Sequence, residues 1–126
     1  MILMHVSSEA KALAVRKVAS GLGEDVKTIS SDDLSRTILS IFTGKYEGSL
    51  KEKEAARARI PVLYSMPEVL VFVGFSMDKL DSFLSLYRET GEETVKLKAV
   101  TTPTNIQWLL YDLIEELKKE HANLNM

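Results

Sequence analysis

The stretch EVLVFVGF, residues Glu68 to Phe75, decides the fold. It is a near-continuous apolar run, short and rich in valine and phenylalanine, as expected of a β-strand covered on both faces. ILMHV, Ile2 to Val6, is a second run of the same kind. VKTIS, Val26 to Ser30, and VKLKAV, Val95 to Val100, read differently, because Lys27, Lys96 and Lys98 interrupt the apolar residues. Strands that carry lysine on alternate positions suit exposed sheet edges. Two central and two edge strands give a sheet of order 2-1-3-4.

Helical patterns fill the gaps. An alanine-rich segment follows Ser7 and Ser8 and stops at Gly21 and Gly23. SDDL after the second strand opens a helix with Leu34, Ile38, Ile41 and Phe42 on one face, its start favoured by Asp32 and Asp33 near the positive end of the helix dipole. SMDKLDSFLSLYRETG reads as a third helix between a Ser76 cap and the Gly91 stop, and a last one is expected from about Pro103 to His121. Between the second helix and the third strand, residues 44–66 form a charged connection, with a short helix over LKEKEAARAR that Pro61 ends. The order is β-α-β-α written twice, in halves of about 1–43 and 67–121. Leu34, Ile38, Ile41 and Phe42 match Ile106, Leu110, Leu113 and Ile114 at one constant offset, which suggests an internal repeat. The expected fold is a single α/β domain: a four-stranded, doubly wound parallel sheet of order 2-1-3-4, with the first helix on one face and the third on the other. Ligands of such sheets lie beyond the strand C-terminal ends, here VSS, ISSDD, VGFS and VTTPTN.

Composition narrows the function. The 126-residue chain has a formal net charge of −2 and a pI near 5.7, so it lacks the basic surplus that marks nucleic-acid binders. Cysteine is absent, which excludes disulfides, thiolate nucleophiles and zinc–thiolate sites and fits a reducing, cytoplasmic setting. The opening MILMHVSSEA has neither a basic leader nor a long apolar run, and no window resembles a membrane span.

Catalytic motifs are missing where they would be sought. VGFSM places Ser76 after a strand, but Met77 and Asp78 stand where a nucleophile elbow needs glycine, so Ser76 reads as a helix cap. The glycines of GLGED end a helix and do not link a strand to one, so they make no dinucleotide fingerprint. TGKY, Thr43 to Tyr46, lacks the upstream glycine of a phosphate loop. His5 reads as a core residue of a central strand, and Glu115, Glu116, Glu120 and His121 as a solvated helix end that makes a poor metal site. No cofactor or metal is expected.

KAVTTPTN, Lys98 to Asn105, is the candidate ligand-binding stretch. Thr102 as cap and Pro103 at the first helical position account for two of its residues. Thr101, Thr104 and Asn105 add further polar groups around free backbone N–H groups, and with Ser31 and Asp32 they could bind a small anionic ligand. Trp108 and Tyr111 fall off the core stripe of the last helix. Cover by the 44–66 connection, partial exposure and a homodimer interface all satisfy that placement.

LKAVTTPTNIQWLLYDLIEELKKEH, preceded by EVLVFVGFSMDKLDSFL, resembles a bacterial family known only as a domain of unknown function, number 3783. The likeness covers about Pro67 to His121, and its most specific part is Thr102, Pro103, Asn105 and Trp108. It implies no activity, substrate or cofactor. The reading that results is a non-enzymatic ligand- or protein-binding module that dimerises. The alternative is a small enzyme with Thr101, Thr102, Asn105 and Asp32 or Asp33 at the strand ends.

Overall fold

The structure is a computed structural model that describes residues 1–45 and 48–124; residues 46 and 47, within the charged connection and at the end of TGKY, lie outside the described residues. Four strands, β1 (Ile2–His5), β2 (Val26–Thr28), β3 (Val69–Phe72) and β4 (Leu97–Val100), form one sheet in the order β2-β1-β3-β4. Among the described residues five α-helices accompany them: α1 (Glu9–Gly21), α2 (Ile38–Thr43), α3 (Leu50–Ala58), α4 (Met77–Glu89) and α5 (Leu110–Leu124). The expected strand order is therefore present, with the lysine-bearing strands at the edges. Lys27 Nζ donates to the Ile41 carbonyl at 2.8 Å, where it satisfies an acceptor near the C-terminal end of α2.

The sheet is mixed, which corrects the expected parallel arrangement. β1 pairs parallel with β2 and β3 with β4, but the central pair β1–β3 is antiparallel, with Ile2 opposite Phe72 and His5 opposite Val69. An apolar run carries no direction, and the long connection before β3 can reach either end of β1.

Reversal of β3 also moves a helix. α1 and α4 were expected on opposite faces, yet Ala14, Val15, Val18 and Ala19 of α1 pack in one cluster with Phe83 and Tyr87 of α4, on Ile2, Met4, Leu70 and Phe72. Stepping sideways in the opposite sense puts a crossover of the same hand on the other face, and reversing the strand brings it back. The opposite face carries α2 and α5, whose Ile38, Ile41, Leu110, Leu113 and Ile114 cover Leu3, Val69 and Val71. Strand alternation thus divides the core cleanly into two layers. The α1–α4 layer is anchored by Phe72, whose ring stands 5.0 Å from Phe83 and 5.1 Å from Phe75.

Both helices of the second layer begin later than their apolar stripes suggest. After β2 the chain forms a 3₁₀ turn (Ser31–Asp33), and α2 starts only at Ile38, where Thr37 Oγ1 accepts from Ser40 N at 3.0 Å. After β4 a 3₁₀ turn (Asn105–Gln107) is followed by an extended Trp108 with φ −77° and ψ 154°, and α5 starts at Leu110. The interruptions meet. Thr37 and Leu109 form an antiparallel bridge in which Ile38 N donates to Trp108 O at 3.0 Å and Leu110 N to Arg36 O at 2.9 Å. A continuous helix from Pro103 would forgo these bonds between the two halves.

Candidate functional site

The TTPTN stretch closes on itself. Asn105 Oδ1 accepts from Thr102 N at 2.7 Å, Thr102 Oγ1 accepts from Asn105 N at 3.0 Å, and Asn105 Nδ2 donates to the Val100 carbonyl at 3.2 Å. This is the reciprocal geometry of a capping box, but it closes the loop that leads into the 3₁₀ turn and lies well before α5, which corrects the expected role of Thr102. Thr101 Oγ1 accepts from the backbone N–H of Gly74 at 3.2 Å, while Thr101 N extends the ladder to Phe72 O. Gly74 has φ +74°, a left-handed conformation that favours glycine, so Thr101 braces the turn that leaves β3. Thr104 is exposed, and its side chain makes no cap bond. Four of the polar groups proposed as ligand donors or acceptors are thus already engaged.

Ser31 and Asp32 do not join them. They follow β2, and the TTPTN stretch follows β4; these edge strands run in opposite directions, so the chain leaves the sheet at opposite ends. The expectation of one shared edge required a parallel sheet. Ser31 and Asp32 are exposed, and the neighbouring Ser30 and Asp33 form a capping box, with Asp33 Oδ2 accepting from Ser30 N at 3.0 Å. Asp32 lines a cavity of about 130 Å³ with Arg36, Ser40, Lys53 and Arg57 between α2 and α3. Arg36 is held there by Asp33 at 3.2 Å and by the hydroxyl and carbonyl of Ser40 at 3.3 and 3.0 Å. Nothing in SDDLSRTILS, residues 31–40, distinguishes this arginine and buried serine from ordinary surface residues.

The two aromatics separate. Tyr111 packs against the α2–α5 layer and meets Tyr64 of the connection edge to face, with ring centroids 5.1 Å apart. Cover by the connection, one of the three readings open for the pair, describes Tyr111. Trp108 remains 37% exposed. Burial, the largest influence, pushes both tyrosine hydroxyls above their usual range, with the Glu115 carboxylate adding to it.

The same connection carries a feature that the sequence reading passed over. Pro61–Tyr64 forms a turn closed by Tyr64 N donating to Pro61 O at 3.1 Å, and at its apex Val62 is 99% and Leu63 95% exposed. Its base is fixed on both sides. Arg59 grips Asp112 of α5 with two bonds of 2.6 and 3.2 Å, and Tyr64 is packed on Tyr111. VLY in a charged segment was the available signal, a pair of large aliphatics where solvent-facing residues are expected.

A third cluster lies at the other end of β3. Glu68 accepts from Ser7 N at 2.8 Å, Ser7 Oγ at 3.0 Å and Lys11 Nζ at 2.8 Å, beside an open groove of about 550 Å³ that Lys96, Lys118 and His121 also line. Burial pushes the Glu68 carboxyl up, but the Lys11 and Ser7 bonds outweigh it and leave the group below its ordinary value. His5 Nδ1 lies 3.1 Å from the Pro67 carbonyl, a contact in which that nitrogen carries the proton. Ser76 caps α4 by accepting from Lys79 N at 3.2 Å. Among the described residues no group of three or more histidine, aspartate or glutamate side chains is placed to hold a metal ion, and no helix is long and apolar enough to cross a membrane.

The fold is thus a mixed four-stranded α/β sheet with helices on both faces and three separate polar clusters on its rim. Residues 68–124 match the model of a family described as a domain of unknown function (DUF3783). The match spans β3, α4, β4 and α5, the second β-α-β-α unit, and bears out the resemblance of the C-terminal half. No curated protein and no solved structure matches the chain.

Proposed function

We propose that this protein is a non-enzymatic binding module that works through the apolar apex Pro61–Leu63, with a second copy of the chain as its partner. The observation that carries the reading is the near-complete exposure of Val62 and Leu63 on a turn whose base is clamped by Arg59–Asp112 and Tyr64–Tyr111. Scattered exposed aliphatics are ordinary, but two adjacent ones on a braced projection lose apolar contact with nothing gained in the monomer. Burying both side chains at an interface would contribute about 3–6 kcal/mol before association costs. Partly exposed Trp108 and Phe42 add large side chains of the kind enriched at interfaces. A two-fold pair is the commonest assembly and would bring two such apices into play.

Two further properties support a scaffold role. Thr102 and Asn105 are engaged with each other, and Thr101 with the Gly74 backbone. The halves also carry matching features at the single offset seen in the helices: the Ser30–Asp33 and Thr102–Asn105 capping boxes, and the Thr37–Leu109 bridge between corresponding residues. We read this as a duplicated β-α-β-α unit with an internal pseudo-two-fold axis.

Light scattering coupled to size-exclusion chromatography tests the proposal. Wild type should elute with twice the chain mass in a concentration-dependent manner, and Val62→Asp with Leu63→Asp should elute at the monomer mass with an unchanged circular dichroism spectrum. A monomeric wild type at high concentration, or a doubly substituted chain that still dimerises, contradicts it.

A further inference from the structure

A cavity of about 140 Å³ opens between α4 and the β3–β4 edge, lined by Leu70, Phe83, Tyr87 and Val95 and by two cations, Arg88 and Lys98. Its two cations stand beside largely apolar walls. Lys11, Arg36, Arg59, Lys79 and Lys118 each lie within ion-pair distance of a carboxylate. Among the described residues, Arg88 and Lys98 do not: Arg88 is exposed to water, whereas Lys98, like Lys27, is a half-buried lysine whose head meets a backbone carbonyl, and a cation that leaves water normally acquires a counter-ion.

Lys98 Nζ donates to the Val95 carbonyl at 2.7 Å, which uses one of its three N–H groups. Burial holds its ammonium below the usual lysine range. A plain structural role, in which the lysine stem covers the sheet edge and the head satisfies Val95, accounts for that bond. It leaves the other two donors of a half-buried ammonium, and the cavity that Lys98 lines with Arg88, unaccounted for. Tyr87 contributes only its ring, since its hydroxyl donates to Glu93 O at 2.8 Å.

We infer that the α4–β4 cavity, with Lys98 and Arg88 at its rim, is a binding site for a small monocarboxylate with a compact apolar body. The carboxylate would supply the missing counter-charge to both cations, and the apolar body would contact Phe83, Leu70 and Val95. The volume fits a single ring or a branched chain of a few carbons, since a cavity of roughly 150 Å³ accepts benzene. A phosphate or dicarboxylate fits less well, because the walls beyond the rim are aliphatic and aromatic. This site is separate from the Pro61–Leu63 apex and does not depend on its role.

Benzoate is the probe, with benzyl alcohol as its uncharged counterpart, and binding is followed by calorimetry and by the amide shifts of residues 94–98. Benzoate should saturate the wild type with a Kd of about 1 mM or tighter, while benzyl alcohol binds at least about tenfold more weakly. Lys98→Met should raise the benzoate Kd about tenfold or more, and Arg88→Gln, at an exposed position that leaves folding intact, by a smaller factor. Absence of saturation by about 10 mM in the wild type overturns the inference. So does binding unchanged in a folded Lys98→Met; should that variant fail to fold, unchanged affinity in Arg88→Gln overturns it alone.

Discussion

Asn105→Ala removes the acceptor for Thr102 N at 2.7 Å and the donor to Val100 O at 3.2 Å, and leaves Thr102 Oγ1 as half of a box. Truncating a residue of this capping kind costs about 1 kcal/mol, with a range of roughly 0.5–2 kcal/mol. Loss of the second bond at a half-buried position places the expected destabilisation at about 1.5–2 kcal/mol, a fall in Tm of roughly 4–10 °C for a chain of this size. Asn105→Asp keeps an acceptor for Thr102 N and loses the donor, so it should fall between wild type and alanine; Asp33 accepts from Ser30 N in the same way. Thr104→Ala, at an exposed side chain without a cap bond, should change stability by less than about 0.5 kcal/mol. Urea unfolding followed by Trp108 fluorescence and circular dichroism measures all three. Equal stability of Asn105→Ala and wild type would refute the structural reading of the stretch and return it to the status of a ligand site.

Glu68 gives a pH dependence whose sign follows from its bonds. Its carboxyl sits below the ordinary value of 4.5 in the folded protein, so its stabilisation is fully present above the unfolded-state pKa and is lost as the pH falls through the lower folded-state value. Glu68→Gln should therefore lower the urea midpoint at pH 7 and flatten its decline in the acid range; an acid decline as steep as wild type would count against the assignment. Ile38→Ala, at a fully buried position where α2 meets the sheet, should cost about 2–5 kcal/mol by the same unfolding assay. Gly74→Ala should cost about 1–2 kcal/mol from backbone conformation alone, since no atom lies within 4 Å of a β-carbon there and φ is +74°. A double-mutant cycle on Arg59 and Asp112, both partly exposed, should give a coupling below about 1 kcal/mol, and a much larger value would mean that the apex is held more rigidly than its exposure implies.

Strand identity and lateral order were legible because they follow from burial. A central strand must be apolar on both faces, and Lys27, Lys96 and Lys98 can reach solvent or a stray carbonyl only from an edge. The direction of β3 was not, because VLVF buries equally well either way up. That one reversal accounts for the shared face of α1 and α4 and for the separation of Asp32 from Thr101. The starts of α2 and α5 were obscured for a different reason. Leu34 and Ile106 fit a helical stripe, yet the bridge between Thr37 and Leu109 draws backbone groups from both halves, and tertiary pairing overrides local periodicity there. At the site level, the sequence shows TTPTN as a dense run of polar residues, but not that Thr102 and Asn105 bond each other and Thr101 the Gly74 backbone. The Pro61–Leu63 apex, the Arg36–Ser40 contact and the unpaired Lys98–Arg88 pair depend on distances that no spacing rule encodes.

The central claim is that the apex carries a contact between copies, and the absence of cysteine from the chain makes it directly measurable. Ser65→Cys introduces a single attachment point on an exposed residue beside the apex, and a nitroxide placed there reports distances to the same position on a neighbouring molecule by pulsed dipolar spectroscopy. A narrow distance distribution that vanishes when the labelled chain also carries Leu63→Asp is the predicted result. A signal indistinguishable from randomly distributed monomers, at concentrations where the wild type is densely populated in solution, would contradict it.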